Sequence, residues 1–141
     1  MEYRDLVEKA IEAQKNSFSP FYNFHVGAAL LTDDGQVIKG CNIESSANGG
    51  VCAERVAFLS AIANGHKKFK AIAVVGGDLK NFCTPCGICR QFMIDFAPDI
   101  DIVLYKTDEI KVVKLRDLLP EYFTDMTTPK FVPYVENFYK K

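Results

Sequence analysis

Residues 52–65 read CAERVAFLSAIANG, a run in which apolar side chains would cover nearly every face of a helix. Such a run predicts a buried helix, and Gly65 is typical of the residue that ends one. A second stretch, PCGIC over residues 85–89, leads into another run of helical character, residues 87–96. Both cysteine-bearing stretches therefore lie where a loop becomes a helix, and helix starts favour thiolates through their unpaired amides and dipole.

The rest of the chain supplies strands around these two helices. Five runs have the apolar character of strands: residues 26–32, 37–43, 71–77, 101–105 and 110–115. Two further helices are predicted over residues 3–16 and 116–119, and Asp33-Asp34-Gly35 predicts a hairpin turn. This order predicts an α/β fold, a three-layer α/β/α sandwich around a mixed five-stranded sheet. We expect a single domain over residues 1–141, with a core of about 1–123 and an irregular tail at 124–141.

Composition narrows the function classes. The chain has 141 residues and a formal net charge of −1, which supplies no general attraction for phosphate backbones, so a nucleic-acid partner is not favoured. No apolar run is long enough to cross a membrane, and residues 1–5 are too charged for a signal peptide. We therefore expect a cytoplasmic protein that acts on a small molecule. Five cysteines in that compartment favour metal or redox chemistry over disulfides.

Three of the cysteines have the spacing of a catalytic zinc site. Thiols of Cys52, Cys86 and Cys89 can hold the ion and leave its fourth position to water, whereas structural zinc normally has four protein ligands. Glu54 follows the first thiol by two residues and can move that water's protons. Three thiolates on Zn²⁺ leave a net negative charge, which Arg55 and the two helix starts can offset.

Several of these residues also have simpler interpretations. A lone Cys-x-x-Cys is equally typical of a redox pair, and Cys83 forms an overlapping one with Cys86. We leave Cys83 out of the zinc site because it lies in the loop before Pro85, and interpret Cys41 and Cys83 as small buried hydrophobes. Without the second cysteine motif, Glu54 would be a first-turn acid that favours the helix dipole, and its neighbouring arginine a surface ion-pair partner.

Four ordered segments resemble one family. Residues 24–29, 41–44, 52–55 and 85–91 read FHVGAA, CNIE, CAER and PCGICRQ, and the chain resembles the small, homotetrameric cytidine deaminases with Cys₃-held zinc. The resemblance spans the chain to about Phe123. It implies one Zn²⁺ per chain on Cys52, Cys86 and Cys89, with Glu54 as the proton shuttle. The implied reaction is hydrolytic deamination of cytidine and deoxycytidine to uridine and deoxyuridine plus ammonia, in pyrimidine salvage.

The resemblance also implies a nucleoside site. Asn42 and Glu44 match positions that bind the ribose hydroxyls, and Phe24 matches an aromatic that packs in the pocket. The Ala53 amide and the Thr84 carbonyl match groups that hold the base.

The resemblance further implies a homotetramer with sites shared between subunits. Residues 118–123, LLPEYF, resemble the family's C-terminal pattern, so that Phe123 would stack on the base in a neighbouring subunit's site.

One segment departs from the family. Between Glu44 and Cys52 the family has a loop one residue longer that contains a tyrosine, whereas residues 45–51 read SSANGGV. The missing tyrosine bears on sugar selectivity, and the Gly-Gly pair resembles blasticidin S deaminases, which lack the CNIE segment. Two rival functions therefore stand beside cytidine deamination: deamination of a modified aminopyrimidine nucleoside such as blasticidin S, and a non-catalytic zinc or redox module on Cys83, Cys86 and Cys89. A nucleic-acid deaminase is disfavoured by the lack of a basic groove.

Overall fold

Helices and strands alternate along the chain in the predicted order. The computed structural model describes residues 1–123; the predicted tail at 124–141 lies outside them. The elements are α1 Tyr3–Gln14, β1 Val26–Thr32, β2 Val37–Cys41, α2 Ala53–Ala63, β3 Phe69–Gly76, α3 Gly87–Ile94, β4 Asp101–Lys106, β5 Glu109–Lys114 and α4 Leu115–Leu118. No helix among these residues is both long and apolar enough to span a bilayer.

The five strands form one mixed sheet in the order β2-β1-β3-β4-β5. β3 and β4 run parallel, with α3 in the connection between them, and the other neighbours are antiparallel. The predicted hairpin joins β1 to β2: Leu31 pairs with Val37, and Gly35 takes the left-handed backbone angle, φ +88°, that the turn requires. The mixed five-stranded sheet is therefore confirmed.

Helices cover both faces of the sheet. α1 packs its buried residues Leu6, Val7 and Ala10 on one face, and α2 and α3 cover the other with Phe58 and Met93 among their buried side chains. The central strand β3 shows the consequence most clearly, because its side chains alternate between the two cores. Ile72 and Val74 face α2, whereas Ala71, Ala73 and Val75 face α1. The predicted three-layer α/β/α arrangement is confirmed, as is the prediction that this strand is covered on both sides.

Several predicted ends were wrong by one or two residues, and two differences have a clear physical reason. β2 ends at Cys41 rather than at residue 43, because Ile43 leaves the ladder to form isolated bridges with Phe18 and Val51. The α2 helix is buried on its sheet-facing side only, and Leu59 on the opposite side is 49% exposed in the single chain. An apolar sequence on every face therefore did not mean burial on every face within one subunit.

Gly40 lets α2 lie directly on β2. A Cβ atom at this position would come within 2.5 Å of the Ala53 carbonyl oxygen and 2.6 Å of the Ala57 amide nitrogen, both backbone atoms of α2. We expect Gly40→Ala to lower the free energy of unfolding by about 1–3 kcal/mol, because the helix must move away from the strand. Urea denaturation measures the loss. Gly87→Ala is the matched control, since a Cβ atom there would meet no heavy atom within 4 Å among the described residues beyond its chain neighbours and the backbone of its own helix. Equal stability of the two variants would contradict this packing.

Candidate active site

Two helix starts bring three thiols together. Cys52 caps the N-terminus of α2, Cys86 caps that of α3, and Cys89 lies one turn into α3. Their Sγ atoms all lie within 4.8 Å of one another, and those of Cys52 and Cys86 are 3.9 Å apart. The three-residue spacing in α3 places both of its cysteines on the side that faces α2. The predicted cysteine cluster is therefore present.

The electrostatics of the cluster favour a thiolate at Cys52. The Arg55 guanidinium nitrogen Nη2 donates to Cys52 Sγ at 3.4 Å, and hydrogen bonding from the Cys89 thiol and then from Arg55 lowers the pKa of Cys52 to about 5. The same contact with Cys52, together with burial, raises the pKa of Cys89. Hydrogen bonding to Cys52, and less strongly to Cys89, raises the pKa of Arg55, so its guanidinium stays charged beside the sulfurs.

This donor set fits zinc. Three sulfur ligands held within one ion's reach, beside a fixed positive charge, match the cysteine-rich shells that Zn²⁺ occupies in proteins. Because zinc binds thiolate rather than thiol, the proton that Cys89 retains in the metal-free chain would leave on binding. No histidine joins the cluster in the described part of the chain, so a bound ion keeps room for a fourth ligand that is not a side chain of this group.

Glu54 is a buried acid in the first turn of α2. Only 4% of the residue is exposed, and burial, with the nearby Cys52 sulfur as a smaller cause, raises its pKa. A carboxylate that is costly to keep charged binds a proton readily and can release it again, as a general acid–base requires. The residue between them, Ala53, is fully buried, so the cysteine and the glutamate are held on a rigid helix start.

A cavity of about 300 Å³ opens beside these groups. Its wall contains the thiols of Cys52 and Cys86 and the carboxylate of Glu54. Of the other residues predicted from the sequence to contact substrate, five also line it: Phe24, Asn42, Glu44, Ala53 and Thr84. The volume lies at the lower end of the range for small-molecule pockets. Residues that were predicted from separate sequence segments to contact substrate therefore line one cavity in the folded chain.

Phe123 lies apart from this cavity. It is 73% exposed, and Gln91 donates from Nε2 to its backbone carbonyl at 2.8 Å. Three lining residues were not among the predicted site residues: Tyr22, Val26 and Cys83. Tyr22 lies in the irregular segment after Pro20 and carries no spacing signal, whereas the position of Val26 at the start of β1, next to a predicted pocket segment, was an available clue.

Asn42 has a fixed side-chain orientation. Its Oδ1 accepts hydrogen bonds from the Ser17 hydroxyl and from the Val26 amide, the latter at 2.8 Å. Its Nδ2 donates to the Phe24 carbonyl at 2.8 Å. With the oxygen engaged twice, the group left for a ligand is the second hydrogen on Nδ2. Asn42 therefore faces the cavity as a donor.

Glu44 presents the opposite character. Although burial opposes its ionisation, hydrogen bonds from the Ser19 hydroxyl and the amides of Phe21 and Tyr22 outweigh that effect and lower its pKa. Glu44 is thus a carboxylate, an acceptor, beside the donor on Asn42. A vicinal pair of sugar hydroxyls could bridge a donor and an acceptor placed in this way.

Three other residues that could have contributed charge or a thiol to the site, Arg90, Cys41 and Cys83, lie outside the thiol cluster. Arg90 donates to the Pro85 carbonyl and to the Leu118 carbonyl, each at 2.7 Å, so it ties α3 to α4. Cys41 and Cys83 are half-buried rather than buried as predicted. Cys83 lines the cavity, and burial raises the pKa of its thiol to about 11. It does not belong to the group of three thiols that lie within one ion's reach among the described residues.

These features define a class of protein. A cysteine-lined metal site at two helix starts, with a buried glutamate beside it in a small-molecule cavity, is the arrangement of a zinc-dependent hydrolytic enzyme rather than of a structural zinc module. Residues 1–106 match the family model described as the cytidine and deoxycytidylate deaminase zinc-binding region. The chain belongs to this family of deaminases.

Known relatives agree with the family model. The chain is 41% identical to a cytidine deaminase of Halalkalibacterium halodurans over 127 residues, 88% of this chain and 96% of the relative. It is 46% identical to a probable cytidine deaminase of Dictyostelium discoideum over 108 residues, 72% of each chain. The crystal structure of cytidine deaminase from Burkholderia pseudomallei superposes with a TM-score of 0.82 at 43% identity, covering 87% of this chain and all of that one. A blasticidin-S deaminase of Bacillus cereus is more distant, at 32% identity over 108 residues, 71% of this chain and 77% of the relative.

Proposed function

We propose that this protein catalyses the zinc-dependent hydrolytic deamination of cytidine and deoxycytidine, which gives uridine and deoxyuridine plus ammonia. One observation carries the proposal: two of the three clustered cysteines, Cys52 and Cys86, line a single cavity together with the buried Glu54 and the donor–acceptor pair Asn42 and Glu44. The cavity thus combines groups that can catalyse the reaction, the thiols and Glu54, with groups that can bind a sugar, Asn42 and Glu44. The relatives that match most of the chain carry the same activity in their names.

Each group near the thiols has a defined task in this reaction. Cys52, Cys86 and Cys89 hold one Zn²⁺ per chain. Bound zinc supplies Lewis acidity, which makes a water molecule nucleophilic near neutral pH. Glu54 would accept one proton from the water and deliver it to ring nitrogen N3, then accept the second proton of the same oxygen, by then bonded to C4, and pass it to the amine that departs as ammonia. The charge of Arg55 balances the excess negative charge of three thiolates.

The remaining lining residues hold the substrate. The backbone amide of Ala53 and the carbonyl of Thr84 bind the carbonyl and amino groups of the base. The ring of Phe24, which is 48% exposed in the single chain, packs against the nucleoside. Asn42 donates to a ribose hydroxyl and Glu44 accepts from one, as their hydrogen-bonding partners leave them free to do.

Glu44→Ala should raise the KM for cytidine about tenfold or more with little change in kcat, because a charged hydrogen bond to the sugar is lost far from the reacting atoms. Steady-state kinetics with cytidine measure both constants. Glu109→Ala provides the control, since Glu109 is an exposed acid on β5 that pairs with Lys106. An unchanged KM in Glu44→Ala would refute the ribose role.

We also propose a homotetramer in which Phe123 reaches a neighbouring subunit's site. The exposure of Leu59, Ile88 and Phe123, at 49%, 66% and 73%, leaves apolar surface that a partner subunit would cover. We propose a cytoplasmic location, which the five free cysteines support because thiols stay reduced there. The proposed role in pyrimidine salvage rests on the proposed substrate alone. The single domain over residues 1–141 remains a prediction.

A modified aminopyrimidine nucleoside such as blasticidin S is the second candidate substrate. The observation in its favour is the short loop at residues 45–51, which lacks tyrosine and is closed by the pairing of Ile43 with Val51 at 3.0 and 2.9 Å. The greater similarity to cytidine deaminases favours the first candidate.

Ultraviolet absorbance during incubation with each nucleoside distinguishes the two candidates, because loss of the amino group changes the spectrum of the base. We expect turnover of cytidine to exceed that of blasticidin S. Faster turnover of blasticidin S than of cytidine would identify the modified nucleoside as the substrate. If the zinc-loaded protein turned over neither compound, both candidate functions would be rejected.

A further inference from the structure

We infer that Ser19 is a positioning residue for the sugar end of the nucleoside site, a role that rests on the proposed function. Ser19 does not line the cavity. It acts through Glu44 and through the backbone of Phe24, the two lining residues that its hydroxyl connects.

The chain brings Ser19 to Glu44 through a short parallel pairing. The Phe18 amide donates to the Asn42 carbonyl at 3.0 Å, and the Glu44 amide donates to the Phe18 carbonyl at 2.8 Å. Residues 17–19 therefore run alongside residues 42–44. This register places Ser17 against Asn42 and Ser19 against Glu44, with 25 residues between the members of each pair.

The Ser19 hydroxyl is used in both directions. It donates to Glu44 Oε2 at 2.6 Å and accepts from the Phe24 amide at 3.0 Å. The pair is shielded from water, since Ser19 is 5% and Glu44 is 9% exposed. The other carboxylate oxygen, Oε1, accepts from the Phe21 amide at 2.7 Å. Each oxygen of Glu44 thus has its own donor, and the carboxylate is held in one rotation.

Removal of the hydroxyl would have two local effects. The Oε2 atom of Glu44 would lose its side-chain donor, so the carboxylate could rotate about its last bond. The Phe24 amide would lose its acceptor, so the segment that carries the Phe24 ring would be less firmly held. The first effect acts on the sugar contact of Glu44. The second reaches the nucleoside only through the backbone of Phe24, so we expect the first to dominate, and neither reaches the thiols or Glu54. We therefore expect the loss to appear in KM and not in kcat.

The test compares cytidine with 2′,3′-dideoxycytidine, which lacks the sugar hydroxyls that Glu44 would bind. For Ser19→Ala we expect kcat/KM to fall about tenfold with cytidine, mainly through KM, and to stay within about twofold with the dideoxy compound. Ser60→Ala, a serine on α2 away from the cavity, is the control and should match the wild type on both. Zinc content and the urea midpoint confirm that the variants are folded.

An equal loss on both nucleosides would overturn the Ser19 role, because it would indicate general distortion of the pocket. No loss on either would overturn it as well. If Ser19→Ala does not fold, Ser19→Cys replaces it, since a thiol fills the space but donates weakly; the same selective loss on cytidine is expected and the same outcomes contradict it. A wild-type protein that turns over neither compound would reject the proposed function itself, and the Ser19 role with it.

Discussion

Glu54→Gln lowers kcat for cytidine by about 10²–10⁴-fold and leaves one zinc per chain in place, because glutamine keeps the size of the side chain but cannot accept or return a proton. The raised pKa of the buried carboxyl is the property that the substitution removes. Absorbance assays give the rate, and elemental analysis gives the metal content. The expected separation between lost turnover and retained metal is the signature of a proton shuttle.

Glu8→Gln is the matched control for this result. Glu8 is an exposed acid on α1, so the same chemical change there should leave turnover unchanged. Retained turnover in Glu54→Gln would remove Glu54 from the mechanism. Loss of zinc together with turnover would instead place Glu54 in the support of the metal site.

Cys52→Ala is expected to lose most of its zinc and at least about 100-fold in activity, because one of three protein ligands is gone. Elemental analysis of the purified variant measures the metal, and the cytidine assay measures the consequence. The metal loss follows from the position of Cys52, whose sulfur lies 3.9 Å from that of Cys86 across two helix starts.

Cys83→Ala makes this prediction discriminating. Cys83 also lines the cavity but is outside the thiol cluster, so its substitution should leave zinc at one per chain. A non-catalytic module built on Cys83, Cys86 and Cys89 predicts the reverse: zinc lost in Cys83→Ala and kept in Cys52→Ala. The two variants together therefore decide between the enzyme and the module.

Local pattern predicted the elements well where one cause dominates. The apolar run of β3 predicted a strand covered on both faces, and Gly65 ends α2 with a left-handed φ of +90°. The predicted ends of strands were less accurate where a residue pairs with a segment distant in sequence. Ile43 has the character of a β2 residue, yet it bridges Phe18 and Val51 instead, and nothing local to residues 37–43 indicates those partners.

The candidate site was likewise predictable in part. The zinc thiols and Glu54 follow from spacing at helix starts, because the chemistry needs them close in sequence or at equivalent positions. Ser19 and Tyr22 do not, since their contacts depend on how the irregular segment after α1 folds against residue 44. The exposure of Leu59 could not be predicted either, because an apolar side chain in a helix does not itself indicate whether another part of the chain covers it.

Because the thiols come from the starts of two different helices, zinc binding affects the stability and the abundance of the protein. Cys52 and Cys86 are 34 residues apart, so a bound ion is a crosslink that closes a long loop of chain and restricts the unfolded ensemble. Binding to the folded form alone would add about 4 kcal/mol of stability when free zinc exceeds its dissociation constant a thousandfold. Scarcity of the metal would then lower the amount of enzyme as well as its activity, because the apoprotein unfolds, and is degraded, more readily.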